Sequence, residues 1–156
     1  MLTFREITED KAYWHPYLYL ADDAHEDVRQ YAEQGFLFVF EDSGEPVGVM
    51  LLIPQNAAVL EIKNIGLLDK ARGKGFGRQM IEVAIETAKD RGYRTLEVGT
   101  ANSSIDNLIF YQKVGFRMAA VKQNYFVKYD PPVYENGIYG KDMIVFRMEL
   151  VSSEKE

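Results

Sequence analysis

The residues best suited to chemistry stand in one short run, Ala71-Arg72-Gly73-Lys74-Gly75-Phe76-Gly77-Arg78-Gln79-Met80, with three glycines at alternate positions. Glycine adopts positive φ without steric cost and lets backbone approach a ligand closely. The amides that follow open an amphipathic helix, whose first N–H groups lack intrahelical partners and lie at its positive end. Such a turn binds a phosphate or pyrophosphate. The dinucleotide pattern G-x-G-x-x-G fails in both frames, because Arg78 or Met80 stands where the third glycine belongs. No Gly-Lys-Ser/Thr follows, so a Walker A loop fails too. What remains is R-x-x-G-x-G at Arg72, Gly75 and Gly77, with Lys74 and Arg78 either adding charge to a phosphate or solvating the surface.

Other candidates lie apart from this run. Tyr111 falls on the last turn of a helix closed by Gly115 and reads as a core-facing aromatic. Glu61 alternates with apolar residues along a strand, which reads as a solvent-facing position. Asn102 and Asn107 flank the start of the Tyr111 helix, where Ser103 or Ser104 is a candidate cap. Asp22, Asp23, Glu26 and Asp27 form an acidic stretch that reads as a solvated helix start. A late segment with Tyr125, Phe126, Tyr129, Tyr134, Glu135 and Tyr139 reads as a dimer contact or a packed loop.

Composition narrows the field. The chain has 156 residues, 47% of them apolar, enough for one domain over residues 1–150 with a polar tail at 151–156. It has no cysteine, which excludes disulfides, thiolate nucleophiles and cysteine-based metal sites. His15 and His25 fall in no metal-ligand spacing, and no metal is expected. The formal charge of −6 argues against a nucleic-acid partner. No apolar run approaches the length of a membrane span and Met1-Leu2-Thr3-Phe4-Arg5 starts no signal peptide, so no membrane partner and a cytoplasmic location are expected.

The elements that position these residues follow from periodicity. Leu2 to Thr8 reads as a strand, Tyr13 to Ala21 as a helix, and a second helix, capped by Asp23, runs to about Gln34 with Gly35 as its C′ residue. Phe36–Glu41 and Pro46–Ile53 form a hairpin across Asp42-Ser43-Gly44-Glu45. Ala58–Leu68 is a strand in which Val59, Glu61 and Lys63 share a face and Gly66 suggests a bulge. Met80, Ile81, Ala84, Ile85 and Ala88 share one helical face. A strand at Thr95–Thr100, a helix at Ser104–Val114, a strand to Val121, a loop over Asn124–Lys141 and a last strand at Met143–Leu150 complete the chain. The class is α/β with a mixed sheet, and the glycine turn sits at a strand's carboxyl end, where open sheets bind ligands.

R-x-x-G-x-G after a strand, and Tyr111-Gln112-Lys113-Val114-Gly115-Phe116 roughly 35 residues later, together resemble the GNAT superfamily of acyl-CoA-dependent N-acetyltransferases. The resemblance implies a mostly antiparallel sheet of about seven strands, flanked by about four helices and splayed at the cofactor site. It implies that the amides of residues 73–78 (Gly73, Lys74, Gly75, Phe76, Gly77, Arg78), with Arg72, hold the diphosphate of acetyl-CoA. The strand around Ile65 to Leu67 then pairs with the pantetheine arm, and Asn102 or Asn107 touches the cofactor. Tyr111 becomes the acid for the departing thiolate, and Glu61 the base for the attacking amine. Asp22, Asp23, Glu26 and Asp27 become candidates for an acceptor wall suited to a cationic amine, and the late segment with Tyr125, Phe126, Tyr129, Tyr134, Glu135 and Tyr139 a candidate second wall; Asp22, Asp23, Glu26, Tyr125 and Tyr134 are the ones singled out. Acetyl transfer to a primary amine by direct attack is the expected activity, with a small cationic amine as the favoured acceptor. An acyl-CoA-sensing module without turnover, or acetylation of a protein amine, are the alternatives. A homodimer is plausible from the aromatic C-terminal third.

Overall fold

The computed structural model describes residues 1–151; the polar tail foreseen at 151–156 lies, from residue 152 on, outside them. The chain runs β1 (Leu2–Ile7), α1 (His15–Leu18), α2 (His25–Tyr31), β2 (Phe36–Asp42), β3 (Glu45–Pro54), β4 (Val59–Leu67), α3 (Phe76–Asp90), β5 (Thr95–Ala101), α4 (Ile105–Lys113), β6 (Arg117–Lys122), β7 (Tyr134–Glu135), β8 (Ile138–Tyr139) and β9 (Met143–Glu149). Seven strands make one sheet in the order β1-β2-β3-β4-β5-β9-β6, antiparallel except where β4 meets β5.

Helices cover both faces, and β2 shows why its run Phe36-Leu37-Phe38-Val39-Phe40 is apolar throughout. Leu37 and Val39 pack with Leu18 of α1 and Val28 of α2. Phe38 and Phe40 pack on the other face with Met80, Ile81 and Ala84 of α3. A strand buried on both sides loses its polar alternation. The β2–β3 hairpin turns through Ser43 and Gly44, both at positive φ, the geometry that suits strand twist.

Several local expectations need correcting. The first helical segment is a 3-10 turn at Lys11–Trp14 followed by the single turn of α1, because His15-Pro16 restarts the helix. Asp23 does not cap α2 with its side chain; Asp22 Oδ1 instead accepts from the Ala24 amide at 3.0 Å. Gly35 is not a left-handed cap but extended, at φ −133° and ψ −168°. Glycine is needed there because a Cβ would stand 2.3 Å from the Leu52 carbonyl oxygen. Gly66 pairs regularly with Val49, and the bulge lies earlier: Leu51 faces Asn64 and Leu52 faces Ile62, so Lys63 is the extra residue. The segment 124–141 contains a hairpin of its own, β7–β8, turning on Asn136-Gly137 with both residues at positive φ.

The sheet is open at one place. β4 and β5 pair only through Val59–Ile62 and Thr95–Val98. Beyond that, β5 continues along β9 to Ala101, while β4 continues along β3 to Leu67. The two parallel strands diverge, and the β5-facing edge of β4 from Lys63 onward has no strand beside it.

Candidate active site

At the carboxyl end of β4 the chain passes a 3-10 turn at Asp69–Ala71 and reaches the glycine run. Gly73 and Gly75 hold φ of 78° and 79°, and Gly75 is the N-cap of α3 without a side-chain cap. A Cβ at either would meet no protein atom within 4 Å, so glycine serves the backbone conformation and leaves clear space before the turn. Gly77 differs, since a Cβ there would stand 3.2 Å from Phe110 Cζ: its bareness seats α3 against α4. The Phe76, Gly77 and Arg78 amides belong to the first turn of a 15-residue helix and point out of it unbonded, while Gln79 N–H already donates to the Gly75 carbonyl at 3.3 Å. Arg72 pairs with Asp69 at 3.3 Å, and the Lys74 ammonium stands 6.0 Å from the Phe76 ring centre.

Tyr111 of α4 lies on the α3 side of the sheet and is 5% exposed. Its ring packs among Phe110, Phe116 and Phe146 at centroid distances of 5.4, 5.8 and 5.6 Å. Burial pushes its hydroxyl up to about 12, so the phenol keeps its proton at neutral pH. The two asparagines separate in role. Asn107 Nδ2 donates to Thr100 Oγ1 at 3.1 Å, beside the divergence of β5 from β4. Asn102 is engaged with the late loop: Oδ1 accepts from Lys141 and Asp142 amides, both at 2.9 Å, and Nδ2 donates to the Tyr139 carbonyl at 3.1 Å. Ser104 is the N-cap residue of α4 but makes no side-chain cap bond; the Ser103 and Ser104 hydroxyls both donate to Glu135 Oε1, at 3.2 and 2.7 Å, and so also anchor that loop.

The opposite face of the sheet holds a cleft of about 310 Å³ between α2 and the segment 125–129. Glu61 lines it and is 8% exposed, not solvent-facing as simple alternation suggests, because α2 and the late loop cover that face. Its carboxyl is pushed up mainly by burial; Lys63, Lys122 and a hydrogen bond from Gln55 Nε2 pull it down, and Glu97 pushes it up. Glu97 is its register partner on β5, yet Arg147 Nε binds Glu97 at 2.8 Å, so Glu61 is the carboxylate of the two without a bound guanidinium.

Asp22 knits the wall of this cleft. Its Oδ2 accepts from the Tyr31 hydroxyl and its Oδ1 from the Tyr129 hydroxyl, each at 2.9 Å. Asn64 continues the chain, donating to Tyr31 Oη at 3.0 Å and the Leu18 carbonyl at 2.9 Å. The bulge at Lys63 makes this possible, since it turns both Lys63 and Asn64 toward α1 and α2. Of the acceptor-wall candidates, Asp22 and Tyr125 line the cleft, while Asp23, Glu26 and Tyr134 do not. Tyr134 instead packs at a tilt against Tyr139 across the β7–β8 hairpin, with ring centroids 4.8 Å apart. Asp27 and Tyr129, also named from the sequence, line it too, while Tyr31 and Gln55 are lining residues that the sequence did not single out. Among the described residues no cluster of His, Cys, Asp or Glu is grouped to hold a metal ion.

The model of the acetyltransferase (GNAT) family matches residues 3–116. The chain belongs to the GNAT family of acetyltransferases. This GNAT chain is 39% identical over 146 residues to the uncharacterised N-acetyltransferase YvbK of Bacillus subtilis, covering 93% of each. It superposes with a TM-score of 0.91 and 37% identity on a GNAT family acetyltransferase from Elizabethkingia anophelis solved with acetyl-CoA bound, covering 96% of this chain and 98% of that one. A Bacillus subtilis acetyltransferase solved in complex with CoA gives 0.90 and 36%, covering 97% and 100%. The mixed seven-stranded sheet with its four helices is the fold of these GNAT structures.

Proposed function

We propose that this GNAT chain moves an acetyl group from acetyl-CoA to a primary amine by direct attack within a ternary complex. The observation that carries the reading is the divergence of β4 from β5 beside the glycine turn. It leaves a strand edge at Lys63–Leu67, with Ile65 and Leu67, free to pair with an extended amide-bearing arm, and it ends at unbonded helix amides suited to a diphosphate. The residues fit that ligand: Gly73 and Gly75 keep the space before the turn clear, and Lys74 and Arg78 stand in the same run. The relatives solved with acetyl-CoA or CoA support the same donor.

Bound acetyl-CoA supplies an activated thioester. Glu61 approaches from the α2 face and accepts the proton that the amine must lose to attack, directly or through a water. Tyr111 approaches from the α3 face and donates its proton to the departing sulfur. The chain has no cysteine to carry an acyl group, which favours one displacement over a covalent relay. Most of the rate then comes from holding amine and thioester together across the open sheet.

The test is steady-state release of CoA thiol from acetyl-CoA with a panel of primary amines. Intersecting initial-velocity lines for donor and acceptor are expected. Parallel lines would overturn direct attack, and acetyl-CoA binding without thiol release from any amine would leave a sensing module instead.

A further inference from the structure

The acceptor-side cleft carries balanced charge although the chain has a net −6. Asp22, Asp27 and Glu61 line it together with Lys63 and Lys128, and Lys122 stands at its rim. Three ammoniums converge on one ring. Lys63 Nζ donates to the Tyr125 hydroxyl at 3.4 Å, while Lys122 and Lys128 stand 5.9 and 5.8 Å from the Tyr125 centroid. Lys128 is taken up by Asp27, its ion-pair partner at 3.0 Å. Among the described residues Lys63 and Lys122 form no ion pair with a carboxylate.

A polycation entering this cleft would bring positive charge against both free ammoniums, and like charges disfavour one another. A molecule with one amine and one acid group meets no such conflict. Glu61 and Lys63 lie two residues apart on one face, about 7 Å by the rise of a strand. That is the span of a small molecule hydrogen-bonded at both ends through groups on neighbouring carbons. Lys63 keeps two N–H donors beyond the one it gives Tyr125, and the Tyr125 hydroxyl, having accepted from Lys63, retains its own proton to donate.

Resting on the amine-acetyltransferase reading above, we propose that the acceptor is a zwitterion of the amino-acid class, its amine toward Glu61 and its carboxylate between Lys63, Lys122 and the Tyr125 hydroxyl. This makes Lys63 and Lys122 residues whose side chains select the acceptor.

The experiment measures thiol release for matched triples: an amino acid, its carboxamide and its decarboxylated amine, across several side-chain classes. The free acid is expected to exceed both partners in kcat/KM by about tenfold or more. Lys63→Met and Lys122→Met are each expected to lower the acid-to-carboxamide ratio about tenfold, a ratio that loss of folded protein does not move. Comparable use of acid and carboxamide overturns the zwitterion while amine transfer stands. A preference for the acid that survives in both variants overturns the assigned lysines. Silence from every amine, with acetyl-CoA still bound, overturns the transferase reading and the inference with it.

Discussion

Replacing Tyr111 by Phe removes one oxygen from the centre of the site and almost nothing from the fold. The ring sits among Phe110, Phe116 and Phe146, and a phenylalanine keeps all three contacts. The hydroxyl makes no hydrogen bond to the protein among the described residues, so its loss leaves no partner stranded and stability is expected to stay within about 0.5 kcal/mol of wild type at neutral pH. Turnover is a different matter. Removing a positioned general acid costs about 10²–10⁴ in rate, or roughly 3–5 kcal/mol of transition-state stabilisation. Alkaline pH separates the two roles further. A folded-state pKa of about 12 against an ordinary 10.0 means that stability is intact below pH 10 and is lost as pH rises through 12. The loss amounts to about 3 kcal/mol in full and about half of that at pH 11, which Tyr111→Phe escapes. Thiol-release kinetics, acetyl-CoA titration calorimetry and chemical unfolding at pH 7 and pH 11 measure all three. An unchanged turnover number, or an acetyl-CoA affinity that falls in step with turnover, would refute the assignment.

Further outcomes follow from the same geometry. Glu61 must be ionised to accept a proton and burial raises its pKa, so kcat/KM is expected to fall on acidification along a limb lying above 4.5; in Glu61→Gln that limb disappears and the plateau drops about 10²-fold, read from a pH–rate profile. Arg147→Met frees the Glu97 carboxylate beside Glu61 and is expected to shift the same limb to higher pH; an unmoved limb would separate Glu97 from the base. Gly75→Ala forces a Cβ onto φ 79° at a cost of about 1–2 kcal/mol and projects a methyl into the clear space before the turn, so thermal melting and acetyl-CoA affinity should both fall. Asp22→Asn weakens two tyrosine hydrogen bonds to a charged acceptor, each worth about 1.5–3 kcal/mol, and is expected to raise the KM for the amine and speed amide exchange over 125–129 while the KM for acetyl-CoA holds.

The donor half was legible because its signals are local. A glycine run, a helix face repeating at Met80, Ile81, Ala84 and Ala88, and Tyr111 before Gly115 each lie within a few turns of chain, and α3 and α4 form where that pattern places them. The proposed acceptor cleft was not, because its geometry is made by contacts between distant segments. Glu61 reads as an outward strand residue until α2 and the loop after β6 are laid over it. Asp22 reads as one acid among four, and only the hydroxyls of Tyr31 and Tyr129 single it out. Gly35 and Gly66 were assigned from their residue type alone, whereas close approach of the Leu52 carbonyl in one case and regular pairing with Val49 in the other decide their conformations. The β7–β8 hairpin is the avoidable omission, since Asn136-Gly137 is a strong turn signal.

The bond between Asp22 and Tyr129 joins residues 107 positions apart, one near the start of the chain and one beyond residue 116, where the match to the family model stops. The glycine turn and Tyr111 lie inside the matched span; Tyr125 and Tyr129 lie outside it. On the proposed reading the cleft is therefore composite: Asp22, Tyr31, Glu61 and Lys63 come from the span that carries the glycine turn, and only its outer wall comes from the loop after β6. A change in that loop is then expected to alter what the cleft accepts while leaving the turn intact, provided that it keeps a hydroxyl for Asp22 to hold.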